Sequence, residues 1–336
     1  MNTLKFRVID KIAETKESFS FVLKPLDGVL AEHSPGKYLP IKIRTEKGLL
    51  FRSYSLSSSA SANEDFKITV KRERGGRGSN WLCDNVKVGD FIETLPPAGS
   101  FHPQNWDRDF VFFAGGSGIT PVISIIKTAL NRHKNRIKLF YANSSESSII
   151  FHKELKDLCL QFPDRLDIQF WLDDEKGIPT SIAFEQYIDD ALEVEYFLCG
   201  PAPFMGGVEN FLIESKVPPG LITKESFAGS VSDDNGDTVE SSAEKDVTVN
   251  FMLNGIKNSV MCSEDDFILN EIIKAGINVP SSCCAGNCGS CMCLLVSGDV
   301  ILESNTVLDA SDEEDGWILA CRSKPRSKNI EISFDQ

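Results

Sequence analysis

Seven of the ten cysteines in this 336-residue chain, Cys262, Cys283, Cys284, Cys288, Cys291, Cys293 and Cys321, fall in its last 75 residues. Clustered thiols in a chain whose N-terminus has no apolar run of signal-peptide length read as metal or redox chemistry more than as disulfides. Cys283, Cys288 and Cys291 stand as C-x4-C-x2-C, and Cys321 follows after 29 intervening residues. That spacing suits a 2Fe-2S cluster: a tight loop supplies three thiolates and a distant strand end the fourth. Ala285, Gly286 and Gly289 let the backbone fold closely around such a cluster, where amide N–H groups can donate to the sulfurs. Four cysteines can also bind zinc, but structural zinc usually takes two short C-x2-C-like pairs rather than a four-residue gap. Cys284 and Cys293 lie off the spacing and read as buried structural thiols.

Two further segments carry the chemistry of phosphate and aromatic recognition. Arg52-Ser53-Tyr54-Ser55 sits on an expected strand, and Gly75-Gly76-Arg77-Gly78-Ser79 opens a short helix. A guanidinium pairs a diphosphate bidentately, a glycine-rich loop leading into a helix N-terminus offers N–H groups to the same anion, and a tyrosine face can stack on an isoalloxazine ring. Taken together the two segments describe a flavin nucleotide site. A third segment, Phe110 to Pro121, is an apolar strand, a turn containing Gly115, Gly116 and Gly118, and a helix start with Ile119, Thr120 and Pro121. Its turn delivers amides to a pyrophosphate at a helix N-terminus, with Pro in the first turn where it is tolerated. Tyr196 to Met205, with Cys199-Gly200-Pro201, ends a strand at the same expected sheet edge, where open α/β folds bind ligands.

The elements that must hold these segments change character along the chain. Residues 1–100 alternate apolar and polar positions in short runs such as Lys5 to Ile12 and Phe66 to Val70, the pattern of an antiparallel sheet or barrel. From Asp109, continuous apolar strands alternate with helical stretches (Pro121 to Leu130, Phe151 to Gln161, Pro203 to Glu214), which predicts a parallel α/β sheet. Ser230 to Glu244 is acidic, serine-rich and poor in large apolar side chains, the composition of a flexible linker that would let the C-terminal domain move. A hairpin turning at Asn254-Gly255, a helix near Phe267 to Ala275 and strands at Cys293 to Val296 and Trp317 to Cys321 complete a small mixed domain. The expected domains are residues 1–106, 107–229 and 246–336, with the linker at 230–245.

On these motifs the chain resembles the ferredoxin-NADP reductase superfamily, followed over residues 246–336 by a plant-type 2Fe-2S ferredoxin. The order of modules is similar to that of oxygenase reductase components of the phenylacetyl-CoA epoxidase or 3-ketosteroid 9α-hydroxylase reductase type. The resemblance implies a multidomain fold: an antiparallel flavin-binding β-barrel, an α/β parallel-sheet NAD-binding domain and a β-grasp ferredoxin domain. It implies FAD in preference to FMN, and an oxidoreductase that takes hydride from NAD(P)H onto FAD and passes single electrons through the cluster to a partner oxygenase. It carries Arg52 and Ser53 to the flavin phosphate region, Tyr54 to the ring, Ser55 to the neighbourhood of flavin N5, and Gly75, Gly76, Arg77, Gly78 and Ser79 to the diphosphate. Gly116, Gly118, Ile119, Thr120 and Pro121 would meet the nicotinamide nucleotide, Cys199, Gly200 and Pro201 the nicotinamide itself, and Glu225 and Phe227 the edge of the active site. Cys283, Cys288, Cys291 and Cys321 would hold the metal. A reductase for a non-oxygenase acceptor such as a hybrid-cluster protein is the competing enzyme reading, and a redox sensor without turnover belongs to a different class.

Several members of the family it resembles carry Arg where this chain has Ser144, and Glu146 follows, so NADH is expected over NADPH because a 2′-phosphate wants a nearby cation. Forty-nine acidic against 35 basic residues give a net charge of -14, which argues against nucleic acid or an anionic membrane surface as partner. Residues 228–245 carry -4 and 246–336 carry -8 of it. The acceptor is therefore expected to present a basic docking patch. No 18-residue apolar run is present for membrane insertion, and a cytoplasmic location is expected.

Overall fold

The computed structural model describes residues 3–26, 33–45, 48–60, 64–188, 194–227, 246–277, 279–281, 284, 286, 288–305 and 307–335. Cys283 and the acidic linker at 230–245 lie outside the described residues.

The N-terminal region is built from β1 (Leu4–Thr15), β2 (Ser18–Pro25), β3 (Tyr38–Thr45), β4 (Gly48–Ser55), β5 (Phe66–Lys71), helix α1 (Arg77–Asn85) and β6 (Phe91–Thr94). The strands form one antiparallel sheet in the order β4-β3-β6-β1-β2-β5. No closed barrel forms among the described residues. The sheet curls until its edges meet at the single bridge Leu56–Ile68, beside the Ser57 N–H that donates to Lys67 O at 2.7 Å. The alternating pattern points Phe6, Val8, Phe21, Leu23, Leu39, Ile41 and Ile68 inward to one core, which α1 closes with Leu82 and Cys83.

The middle region runs β7 (Asp109–Gly115), α2 (Ile119–Arg132), β8 (Ile137–Asn143), α3 (His152–Gln161), β9 (Leu166–Leu172), the short α4 (Asp173–Lys176), β10 (Val194–Cys199), α5 (Ala202–Glu214) and β11 (Ile222–Glu225). All neighbours in the sheet, ordered β11-β10-β7-β8-β9, are parallel. Separate apolar cores line its two faces, one including Phe112, Ile123, Ile126 and Tyr141, the other Phe113, Phe140, Phe184 and Leu212. Burial on both faces is why these strands read as continuous apolar runs. Helix α2 starts two residues before the expected Pro121; Pro in the first turn forfeits no helical hydrogen bond, so it does not mark the start.

The C-terminal region contains β12 (Val247–Leu253), β13 (Ile256–Cys262), α6 (Ile268–Lys274), β14 (Met292–Ser297), β15 (Val300–Leu302), α7 (Ala310–Glu314), β16 (Trp317–Leu319), β17 (Ser323–Pro325) and β18 (Asn329–Ser333). A mixed sheet, β13-β12-β18-β14-β16, packs against Ile268, Leu269 and Ile272 of α6. Asn254 and Gly255, both at positive φ, make the β12–β13 turn. No described helix is long and apolar enough to cross a membrane.

Candidate functional site

A cleft of about 770 Å³ is walled by all three regions. The first wall is Arg52, Ser53, Tyr54 and Ser55 at the end of β4, with Gly75, Gly76, Arg77, Gly78 and Ser79 at the start of α1. β4 is an edge strand, so its outer side is open to a ligand. Gly78 allows α1 to lie against Arg52: a Cβ there would stand 2.7 Å from Arg52 Cγ. No side chain caps α1, which leaves its first-turn N–H groups for an anion in the cleft. The Arg52 guanidinium donates to Phe51 O at 2.7 Å, and burial pulls its proton affinity down. Burial pushes the Tyr54 phenol well above its ordinary value, so it stays neutral. The buried hydroxyls of Ser53 and Ser55 have no hydrogen-bond partner among the described residues. Buried hydroxyls of this kind normally find partners, and a flavin's polar ring edge would supply them. The wall therefore fits a flavin nucleotide.

The second wall comes from the carboxyl edge of the parallel sheet: Gly115, Gly116, Ser117 and Thr120, then Gly200, Pro201 and Ala202. Here two turns interlock. A Cβ on Gly118 would lie 2.0 Å from Cys199 O, one on Gly200 would lie 2.9 Å from Gly115 N, and one on Gly115 would lie 2.8 Å from the Pro201 ring. Gly116 is held at a φ of +52°, its carbonyl accepting from the buried Tyr141 hydroxyl at 2.9 Å. A 3-10 turn at Gly116–Gly118 leads straight into α2, with the Ile119 N–H bonded back to Gly116 O, so the turn at Gly116 and Ser117 forms the helix entrance on the cleft, where a pyrophosphate is favoured. Ile119 and Pro121 are buried in the helix packing and do not line the cleft. Neither do Gly118 and Cys199, which shape it from behind, whereas Phe227 lines it and is 43% exposed.

Cys199 and Glu225 are partners in the parallel register of β10 and β11. Burial and the neighbouring carboxylate push the Cys199 thiol far up, so it is no thiolate nucleophile. Burial alone lifts Glu225 to about 8, and its Oε2 has no partner among the described residues.

The third wall, Leu253, Asn254, Val279, Pro280, Ser281 and Phe334, belongs to the C-terminal region. Just beyond it the cysteine loop turns through Gly286 and Gly289, both at positive φ. Cys288, Cys291 and Cys321 are buried, the Cys291 thiol hydrogen-bonded to Cys321, and the Ser290 N–H donates to Cys288 Sγ at 3.4 Å. No ready-made metal cage is found among the described residues, which exclude Cys283. Buried thiols at Cys288 and Cys321 that each act on Cys291, with an N–H donor to Cys288, suit an iron-sulfur cluster. Cys293 points into the core instead, where burial pushes its thiol far up, and Cys284 packs against the same core.

The cysteine loop also touches the flavin-side sheet. Phe51 and Leu95 are buried in the same apolar cluster as Cys291, Cys321 and Val307, and a Cβ on Gly289 would lie 3.5 Å from Leu95 and 3.6 Å from Phe51. Phe51 immediately precedes Arg52. Sequence reasoning missed both apolar residues because they read as ordinary sheet positions.

Residues 4–102 match the family of oxidoreductase FAD-binding domains, 112–210 that of oxidoreductase NAD-binding domains, and 251–326 that of 2Fe-2S iron-sulfur cluster binding domains. The chain is 37% identical over 333 residues to the ferredoxin reductase component of 3-ketosteroid-9-alpha-monooxygenase from Rhodococcus rhodochrous, covering 97% of this chain and 95% of that one. It is 30% identical to the glycine betaine monooxygenase reductase subunit of Chromohalobacter salexigens, covering 98% and 94%. Phthalate dioxygenase reductase shares the fold, with a TM-score of 0.63 at 24% identity over 99% of this chain and 98% of that one.

Proposed function

We propose a function from the premise that this chain belongs to the family of FAD- and NAD-binding reductases with a C-terminal 2Fe-2S domain that includes the 3-ketosteroid-9-alpha-monooxygenase reductase components: it oxidises NADH in the cytoplasm and delivers electrons one at a time to a partner oxygenase. Bound FAD supplies the conversion of a two-electron donor into a one-electron source, and the cluster supplies the one-electron exit. The observation that carries the reading is the shared cleft, with the flavin wall, the dinucleotide wall and the edge of the cysteine loop meeting around one space.

Arg52 and the start of α1 hold the diphosphate, Tyr54 stacks on the ring, and Ser53 and Ser55 donate to its polar edge. The interlocked Gly115 and Gly200 turns, with Thr120 beside them, seat the nicotinamide nucleotide. Glu225 and Phe227 bound the site on the β11 side. Cys283, Cys288, Cys291 and Cys321 ligate the cluster, and Phe51 and Leu95 seat its loop beside the flavin. NADH is the preferred donor. Ser144 O accepts from Asp174 N–H at 3.1 Å, which gathers Asp173 and Asp174 beside Ser144, where a 2′-phosphate would need a cation.

The acceptor docks on the C-terminal region through a basic patch. Exposed Asp309, Glu313, Glu314 and Asp315 follow closely on Val307, which contacts the cysteine loop. Anaerobic titration of the purified holoprotein with NADH tests the whole reading. Bleaching of a flavin band together with the appearance of a reduced 2Fe-2S electron paramagnetic resonance signal is expected, and absence of either chromophore overturns it.

A further inference from the structure

The flavin-side sheet and the dinucleotide domain are joined by a buried polar seam whose residues do not line the cleft. Helix α2 runs from the glycine turn at the cleft back along this seam, with Ser124, Lys127 and Thr128 on one face. The Ser124 hydroxyl donates to Ser58 O at 2.6 Å, and the Ala60 N–H donates to Thr128 Oγ1 at 3.0 Å. Lys127, 9% exposed, pairs with Glu64 across the boundary and with Glu154 of α3 at 3.0 Å. Lys67 of β5 closes the chain by reaching Glu154 at 3.1 Å. Charges thus alternate Glu64, Lys127, Glu154, Lys67, and this chain of ion pairs crosses the boundary twice, at Glu64–Lys127 and at Lys67–Glu154, beside the two neutral hydrogen bonds. Glu64 is itself fixed by the Ser59 N–H at 2.8 Å and the Ser59 hydroxyl at 2.5 Å.

Buried ion pairs are poor stabilisers: the desolvation cost offsets the attraction, and apolar residues of similar volume often do as well. Their distinctive contribution is directional. Apolar packing tolerates sliding, whereas Lys127 between two carboxylates has one orientation. The seam begins only a few residues after Ser55 of the flavin wall, and on the other side it lies on the helix whose N-terminus holds the pyrophosphate turn. At 1.5 Å rise per residue, Ser124 and Lys127 stand about 9 and 13 Å along α2 from Gly118. A small rotation at the seam therefore displaces the turn by a comparable fraction of an ångström or more.

We propose that Lys127, with Glu64, Glu154 and Lys67, is a set of positioning residues that fixes how closely the nicotinamide approaches the flavin. They touch neither cofactor and set the distance between the two walls. Hydride transfer needs its reacting atoms within about 3.5 Å, and a misplacement of about 1 Å can cost on the order of 100-fold in rate. The inference rests on the proposed NADH-to-flavin reaction.

The test is anaerobic stopped-flow reduction of the FAD- and cluster-loaded full chain by NADH, comparing wild type with Glu64→Gln and Lys127→Met. Glu64→Gln removes the charge of one cross-boundary pair, keeps an amide oxygen for the Ser59 donors and leaves Lys127 with Glu154, so folding is preserved even where Lys127→Met fails to yield holoprotein. The limiting rate of flavin reduction is expected to fall about tenfold or more. The half-saturating NADH concentration should stay within about threefold, since the dinucleotide wall is intact, and the later step from flavin to cluster should run as in wild type. A wild-type limiting rate in Glu64→Gln, or a parallel loss of NADH affinity and rate, overturns the proposal. If wild type itself is not reduced by NADH, it is the underlying function that fails, and dithionite reduction of both chromophores identifies that case.

Discussion

Cys199 and Glu225 stand side by side at the carboxyl ends of β10 and β11, partners in parallel register; burial raises the Cys199 thiol most, and the neighbouring Glu225 adds to that rise. A carboxyl group and a thiol are thus both held neutral behind the dinucleotide wall.

The lifted Glu225 makes stability fall as pH rises. The unfolded chain releases this proton near 4.5 and the folded chain near 8, so between those values the native state binds more protons and loses up to about 1.4 kcal/mol per pH unit. Glu225→Gln is expected to flatten the pH dependence of Tm between pH 5 and 8 and to exceed wild type most at pH 8. Thermal melts of the two proteins across that range check this, and parallel curves would count against a buried, unpaired carboxyl.

The Gly118 position has no room for a side chain. A methyl group there would sit 2.0 Å from Cys199 O, so the β7 and β10 turns must separate. Overpacking of this kind costs about 1–3 kcal/mol or more. Gly118→Ala is expected to retain flavin and iron, read from the optical spectrum, while the half-saturating NADH concentration rises at least about tenfold, the equivalent of 1.4 kcal/mol.

Phe51 links the flavin wall to the cysteine loop. Replacing a buried Phe by Ala removes on the order of 3 kcal/mol of packing, and here the loss falls on the core cluster that Phe51 shares with Val307 and on its approach to Gly289. Phe51→Ala should leave NADH reduction of the flavin unchanged and slow the growth of the reduced-cluster signal that follows. Rapid freeze-quench electron paramagnetic resonance separates the two steps; unchanged cluster kinetics would show that the contact does not support transfer.

The features legible in the sequence are those where local chemistry dictates residue type. A cluster needs cysteines at fixed intervals, and a close approach such as Gly118 to Cys199 O needs glycine. Apolar runs on both faces announced the parallel sheet. What the sequence hid is long-range. Nothing local marks Phe51 as the seat of a loop more than 230 residues away, or Lys127 as the partner of Glu64. Glu225 meets Cys199 only because the parallel register brings their strand ends level. The curled but open flavin-side sheet was equally hidden, since alternation fixes which face is buried and leaves the closure of the edges undetermined.

The last prediction concerns the nucleotide. Asp173 and Asp174 follow β9, and the Asp174 N–H holds Ser144 O at the end of β8. Burial and the neighbouring Asp174 raise the Asp173 carboxyl, and its buried Oδ1 has no partner among the described residues. A 2′-phosphate in that place would meet carboxylates rather than a cation. The expected outcome is a kcat/KM for NADH at least about 100-fold above that for NADPH, a difference of roughly 2.7 kcal/mol. Ser144→Arg should narrow the ratio by improving NADPH, because a guanidinium pairs a phosphate bidentately. Steady-state ferricyanide reduction with both nucleotides measures each value, and an NADPH preference in wild type would overturn the prediction.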